Sequence, residues 1–127
     1  MTNDVRDRWY MNLTKVLIAD DDPVCRDGLD FLVNTEQDLK VIGHAQDGLE
    51  VIAKTKDLSP DVILMDIQMP FCDGVEATRR IKAEYPETKI IILTIHTNSL
   101  SEAIKAGASN YLLKDSPPNV LFDAIRN

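Results

Sequence analysis

The sequence predicts a doubly wound α/β fold, in which a parallel sheet of five strands is covered by helices on both faces. Three observations lead there. From about residue 14 onward, short runs rich in Val, Ile and Leu alternate with longer amphipathic segments, as repeated strand–helix units do. Several of those runs, KVLIA, DVILM and KIIIL among them, are continuously apolar and not alternating, as strands buried on both faces should be. The amphipathic segments, in turn, open on residues that cap helices.

Taken in order, the first dozen residues, MTNDVRDRWYMN, mix both charges with Trp9 and Tyr10 and have no period, so residues 1–13 are expected to be a flexible lead-in to a domain over 14–127. The first strand is 15–19, and it runs into Asp20, Asp21 and Asp22. Asp22 before Pro23 places a capping carboxylate ahead of a proline at the first helical position, and Cys25, Gly28, Leu29 and Leu32 form the apolar stripe of that helix. A second strand over 40–45 precedes Asp47 and Glu50, which have capping-box spacing. The third strand, 61–65, ends in Asp66, and Asp73 with Glu76 repeats the capping box. The fourth, 89–93, ends in Thr94; Ser99 and Glu102 then open a short helix near Leu100, which Gly107 stops in a left-handed conformation. The fifth, 110–113, ends in Lys114, and the last helix turns Val120, Leu121, Ala124 and Ile125 toward the core. That helix reaches Asn127 without a cap, as in a piece of a longer protein.

A chain of 127 residues, 44% hydrophobic and 28% charged, has the composition of one soluble globular domain with a proper core. Its net charge of -7 argues against direct binding of nucleic acid, which requires clustered Lys and Arg. Cys25 and Cys72 lie far apart in no metal or redox pattern and read as packing residues. No signal peptide or long apolar run is visible, so a reduced cytoplasmic setting without a membrane partner is expected.

The polar residues at the strand ends carry the chemistry. In a doubly wound sheet, ligands bind at the carboxyl ends of the strands, beside the point where strand order reverses. Asp20 and Asp21 follow the first strand, Asp66 the third, Thr94 the fourth and Lys114 the fifth. Two like charges about 4 Å apart repel by about 4 kcal/mol at an effective dielectric of about 20, so the acidic pair is not kept for stability. Three carboxylates, completed by water and a phosphate oxygen, match the octahedral oxygen shell of Mg²⁺. A carboxylate beside such an ion can attack phosphorus, and Asp66, alone at the end of a central strand, is the candidate nucleophile. Mg²⁺, the Lys114 ammonium and the Thr94 hydroxyl would then meet the oxygens of the transferring group.

LIADDDP, VILMDIQMPFCDG, IILT and AGASNYLLKD together resemble the receiver domain of two-component response regulators across residues 15–127. The last of these motifs is similar to the NarL/LuxR-type transcriptional regulators. The resemblance implies a flavodoxin-like (βα)5 fold with strand order 2-1-3-4-5. It implies that Asp66 accepts a phosphoryl group from the phosphohistidine of a sensor histidine kinase. It further implies that Asp20, Asp21, Asp66 and the backbone carbonyl of Gln68 hold Mg²⁺, or Mn²⁺ in its place. Thr94 and Tyr111 are the switch pair it implies. Homodimerisation on phosphorylation, and a DNA-binding helix-turn-helix domain outside this chain, follow from the same resemblance. Gln68 and His96, two residues beyond Asp66 and Thr94, are placed to tune hydrolysis of the acyl phosphate.

Three departures stand out. Asp115 follows the lysine where many receivers have proline, although NarL/LuxR-type domains commonly show aspartate there. Ile95 replaces the usual small residue after the threonine, and the segment between Thr94 and Lys114 is slightly short, so a short or irregular fourth helix is expected. Two other function classes compete. A Mg²⁺-dependent phosphatase with an aspartyl nucleophile would carry a second aspartate where Gln68 stands, together with a substrate-covering insertion that is missing here. A phosphorylation-independent interaction module would not need the full set of Asp20, Asp21, Asp66, Thr94 and Lys114.

Overall fold

The structure, a computed structural model, describes residues 13–127. Nearly all of the expected lead-in, residues 1–12, lies outside the described residues. Strand β1 (Thr14–Ala19) is followed by helix α1 (Pro23–Asn34), β2 (Leu39–Ala45), α2 (Gly48–Leu58) and β3 (Val62–Met65). Then come α3 (Gly74–Glu84), β4 (Lys89–Thr94), α4 (Leu100–Ala106), β5 (Asn110–Leu113) and α5 (Pro118–Arg126). The strands form one sheet in the order β2-β1-β3-β4-β5, with every neighbouring pair parallel.

The continuous apolar runs are explained by the two faces of this sheet. Leu17, Ile63, Met65, Ile90 and Ile92 point to one side and meet Val51 of α2, Ala77 and Ile81 of α3 and Ala103 of α4. Val16, Ile18, Val62, Leu64, Ile91 and Leu93 point to the other and meet Val33 of α1 with Leu121 and Ile125 of α5. Because side chains alternate along a strand while both faces are covered, every position in the run must be apolar.

Three of the four expected caps form. Asp22 accepts from the Val24 N–H at 3.0 Å, Asp47 from Glu50 at 2.8 Å and Asp73 from Glu76 at 2.8 Å. Ser99 is the exception: it precedes α4 but makes no side-chain cap. Gly107 does stop α4 with φ of 111°, and at seven residues this helix is as short as expected. Two core assignments need correction. In α1 only Val33 is buried, with Leu29 and Leu32 half-buried against the core and Gly28 facing solvent. Val120 of α5 is exposed, because only Leu121, Ala124 and Ile125 turn inward. Strand β2 also holds an extra residue, Ile42, where its register with β1 shifts.

Candidate functional site

The order β2-β1-β3 puts the reversal of the sheet between β1 and β3, and their register aligns Ala19 with Met65. The residues that follow are Asp20 and Asp66, so the two carboxylates emerge side by side, and the Asp66 N–H donates to the Ala19 carbonyl at 2.9 Å. One carboxylate oxygen from each of Asp20, Asp21 and Asp66 lies within 4.8 Å of the others. Asp20 and Asp66 are 1% and 7% exposed, whereas Asp21 faces solvent. This all-oxygen donor set suits a hard divalent cation, and the acidic cluster fits the metal site of a receiver domain.

Lys114 enters from the end of β5. Its Nζ donates to Asp20 Oδ2 at 2.7 Å and lies 3.6 Å from Asp66 Oδ2. Burial works against its charge, but the hydrogen bond to Asp20 and the charges of Asp66 and Asp20 outweigh that, so its pKa stands above the ordinary lysine value. Asp20 Oδ1 accepts from the Asp22 N–H at 2.9 Å. Asp66 Oδ1 accepts from the Ile67 N–H at 2.9 Å, which leaves Oδ2 as the oxygen turned toward Lys114. Burial first, and then the charge of Asp20, push the Asp66 carboxyl up to about 6.

Thr94 closes β4, with its backbone carbonyl accepting from the Lys114 N–H at 2.9 Å, and is 1% exposed. Its hydroxyl accepts from the His96 N–H at 3.2 Å, while the Tyr111 hydroxyl donates to the His96 carbonyl at 2.7 Å. A single residue therefore links the expected switch pair. Gln68 and the His96 side chain are exposed at the rim, and Ile95, 69% exposed, projects into solvent beside Thr94. Burial is the leading cause that raises both the Cys25 and the Cys72 thiol above the ordinary value.

Two supporting residues escaped the reading of the sequence. Arg26 of α1 donates through Nη1 to the backbone carbonyl of Asp20 at 2.6 Å, and no local pattern distinguishes that arginine from a solvated one. Gly74 packs so closely beneath Asp66 that a Cβ there would lie 2.0 Å from the Asp66 carbonyl oxygen. Gly74 opens α3 directly after its cap, Asp73, and the D-G pair is the local signal that marks the position.

The family model for the response regulator receiver domain matches residues 16–126. The transcriptional regulatory protein YxjL of Bacillus subtilis is 48% identical over 114 residues, covering 88% of this chain and 52% of that protein. A LuxR-family two-component response regulator from Aurantimonas superposes with a TM-score of 0.85 at 33% identity, over 90% of this chain and 83% of that one. RcsB of Salmonella enterica, bound to the promoter rprA in the presence of the phosphomimetic BeF3-, gives a TM-score of 0.79 at 28% identity, over 88% of this chain and 66% of that one. The chain spans about half the length of the curated relatives it matches. With the acidic cluster, the strand-end threonine and the bridging lysine all at the carboxyl edge of a 2-1-3-4-5 sheet, this chain belongs to the response regulator receiver domain family.

Proposed function

We propose that this domain is a phosphorylation-controlled switch in which Asp66 takes a phosphoryl group from the phosphohistidine of a sensor kinase. The observation that carries this reading is the juxtaposition of three carboxylate oxygens within 4.8 Å with an ammonium 3.6 Å from Asp66 Oδ2. Oδ2, the Asp66 oxygen that faces Lys114, is the attacking oxygen, while Oδ1 accepts from the Ile67 N–H and keeps a lone pair for a cation. A P–O bond forms there as the P–N bond of the phosphohistidine breaks and the imidazole nitrogen keeps the electron pair. Lys114 balances charge on the transferred group, and the Thr94 hydroxyl donates to one of its oxygens. Asp20, Asp21, Asp66 and the Gln68 carbonyl would hold Mg²⁺, with Mn²⁺ as a substitute, and a cation there would neutralise charge on the phosphoryl oxygens.

Drawing Thr94 toward the phosphoryl group releases the His96 N–H, which frees the backbone that holds the Tyr111 hydroxyl at the surface, and Tyr111 moves inward into the space Thr94 leaves. The surface around β4, α4 and β5 changes with it, and a second copy of the domain binds there or on a face coupled to it. Gln68 and His96 set the rate of hydrolysis from the rim. The domain alters its own phosphorylation state and is no turnover enzyme. A DNA-binding domain outside this chain supplies a transcriptional output in the cytoplasm, a reading supported by the promoter-bound RcsB relative and by the regulators of about twice this length.

The test is intact mass after incubation with acetyl phosphate and Mg²⁺, beside Asp66→Asn and a chelated control. One added phosphoryl group, lost in both controls, is expected. No addition to folded, Mg²⁺-binding protein would overturn the reading in favour of an interaction module.

A further inference from the structure

We propose that Gly48, on a helix that contributes no ligand or reacting group, is a positioning residue for the phosphorylation site. This deepens the function proposed above and rests on Asp66 being the acceptor. The loop between β3 and α3 is fixed at two places. At its near end Gly74 abuts Asp66 itself, and the Gly74 N–H donates to the Ile67 carbonyl at 2.8 Å. At its tip, between Ile67 and Gly74, the chain makes a three-residue turn, closed by the Cys72 N–H on the Pro70 carbonyl at 2.8 Å, with Phe71 at φ of 70°. Phe71 is 84% exposed, so no packing of its side chain accounts for that left-handed backbone.

The turn directs the Cys72 carbonyl onto Gly48. A Cβ at Gly48 would lie 1.9 Å from the Cys72 oxygen and 2.6 Å from both its carbonyl carbon and its Cβ. Two of those atoms are backbone, so no rotamer change relieves the overlap. The start of α2 is held by two bonds, Asp47 accepting from the Glu50 N–H at 2.8 Å and the Glu50 carboxylate from the Gln46 N–H at 2.7 Å, while Val51 is fully buried. The helix is therefore the fixed wall and the loop is the part that yields. Along that loop lie Gln68 and Ile67, whose N–H orients Asp66 Oδ1. A methyl group at Gly48 reaches the reacting carboxylate through the backbone, without touching it.

The experiment compares Gly48→Ala with Val33→Ala, which removes core volume on the opposite face of the sheet. Three quantities are measured on each: the Mg²⁺ dissociation constant by calorimetry, the phosphorylation rate with acetyl phosphate at saturating Mg²⁺, and stability to urea. Gly48→Ala is expected to slow phosphorylation at least about fivefold and weaken Mg²⁺ binding at least about threefold, with both unchanged in Val33→Ala. Adding Phe71→Gly to Gly48→Ala should restore much of the rate, because glycine lets the turn re-form around the intruding methyl. If Gly48→Ala alone does not fold, the double variant is compared with Phe71→Gly by the same measurements. Wild-type rate and Mg²⁺ affinity in Gly48→Ala, or equal losses in Val33→Ala, would overturn the proposal. Should the wild type take no phosphoryl group, it is the acceptor reading that fails, and the Mg²⁺ affinities still decide the role of Gly48.

Discussion

Replacing Asp66 by Asn should stabilise the metal-free protein at neutral pH. Burial, followed by the negative charge of Asp20, pushes this carboxyl from 3.8 to about 6, and the opposing pull of Lys114 and the Ile67 N–H does not offset them. Below 3.8 the group is neutral in folded and unfolded chains and contributes nothing. Between 3.8 and about 6 the unfolded chain has released a proton that the folded chain still holds, so stability falls as pH rises. Above that window the deficit is complete and flat. At about 1.4 kcal/mol per unit, a displacement of about 2 units sets a ceiling of about 3 kcal/mol. Asn keeps the shape and an acceptor for the Ile67 N–H while removing the charge. We expect it to gain about 1–3 kcal/mol at about pH 7 and almost nothing at about pH 4. Urea unfolding in EDTA, followed by far-UV circular dichroism across that range, measures the difference, with an unchanged slope showing that the two states are comparable. A variant less stable than wild type at neutral pH, or a difference that does not vary with pH, would refute the electrostatic account.

Mg²⁺ binding to the acidic cluster should stabilise the wild type by about 2.7 kcal/mol at a hundredfold excess over its dissociation constant, and Asp21→Asn should lose most of that gain in the same melts. Lys114→Ala strands the buried Asp20 and Asp66 carboxylates together, so at neutral pH it should cost about 2 kcal/mol in urea and slow phosphorylation by acetyl phosphate severely. Gln68→Ala and His96→Ala alter exposed side chains; stability should move by less than about 0.5 kcal/mol, while the half-life of the phosphorylated form, read by intact mass, changes. Asp47→Ala removes the cap of α2 and should lower stability by about 1 kcal/mol in urea.

Much of this protein was legible in its sequence because the relevant signals are local. Continuous runs of Val, Ile and Leu marked the strands to within a residue or two: β1 begins at Thr14, β3 at Val62, and β4 takes in Thr94. Asp22, Asp47 and Asp73 announced three helix starts, since a cap is a contact between near neighbours. Asp20, Asp66, Thr94 and Lys114 of the candidate site could be named because each closes or directly follows a strand, although the strand order that makes them neighbours came from the family resemblance and not from the runs themselves. Ser99 failed as a cap where the pattern was equally good, and Val120 is exposed because it lies at the margin of the stripe whose centre, Leu121, Ala124 and Ile125, packs against the sheet. Only the tertiary structure decided that Lys114 pairs with Asp20 across 94 residues of chain, that Arg26 holds the Asp20 carbonyl, and that Gly48 faces Cys72. Those contacts depend on distances between separate elements to a few tenths of an ångström. Periodicity and capping act within a few residues, whereas such distances are set only when all five strands pair and both helical layers close on the two faces of the sheet.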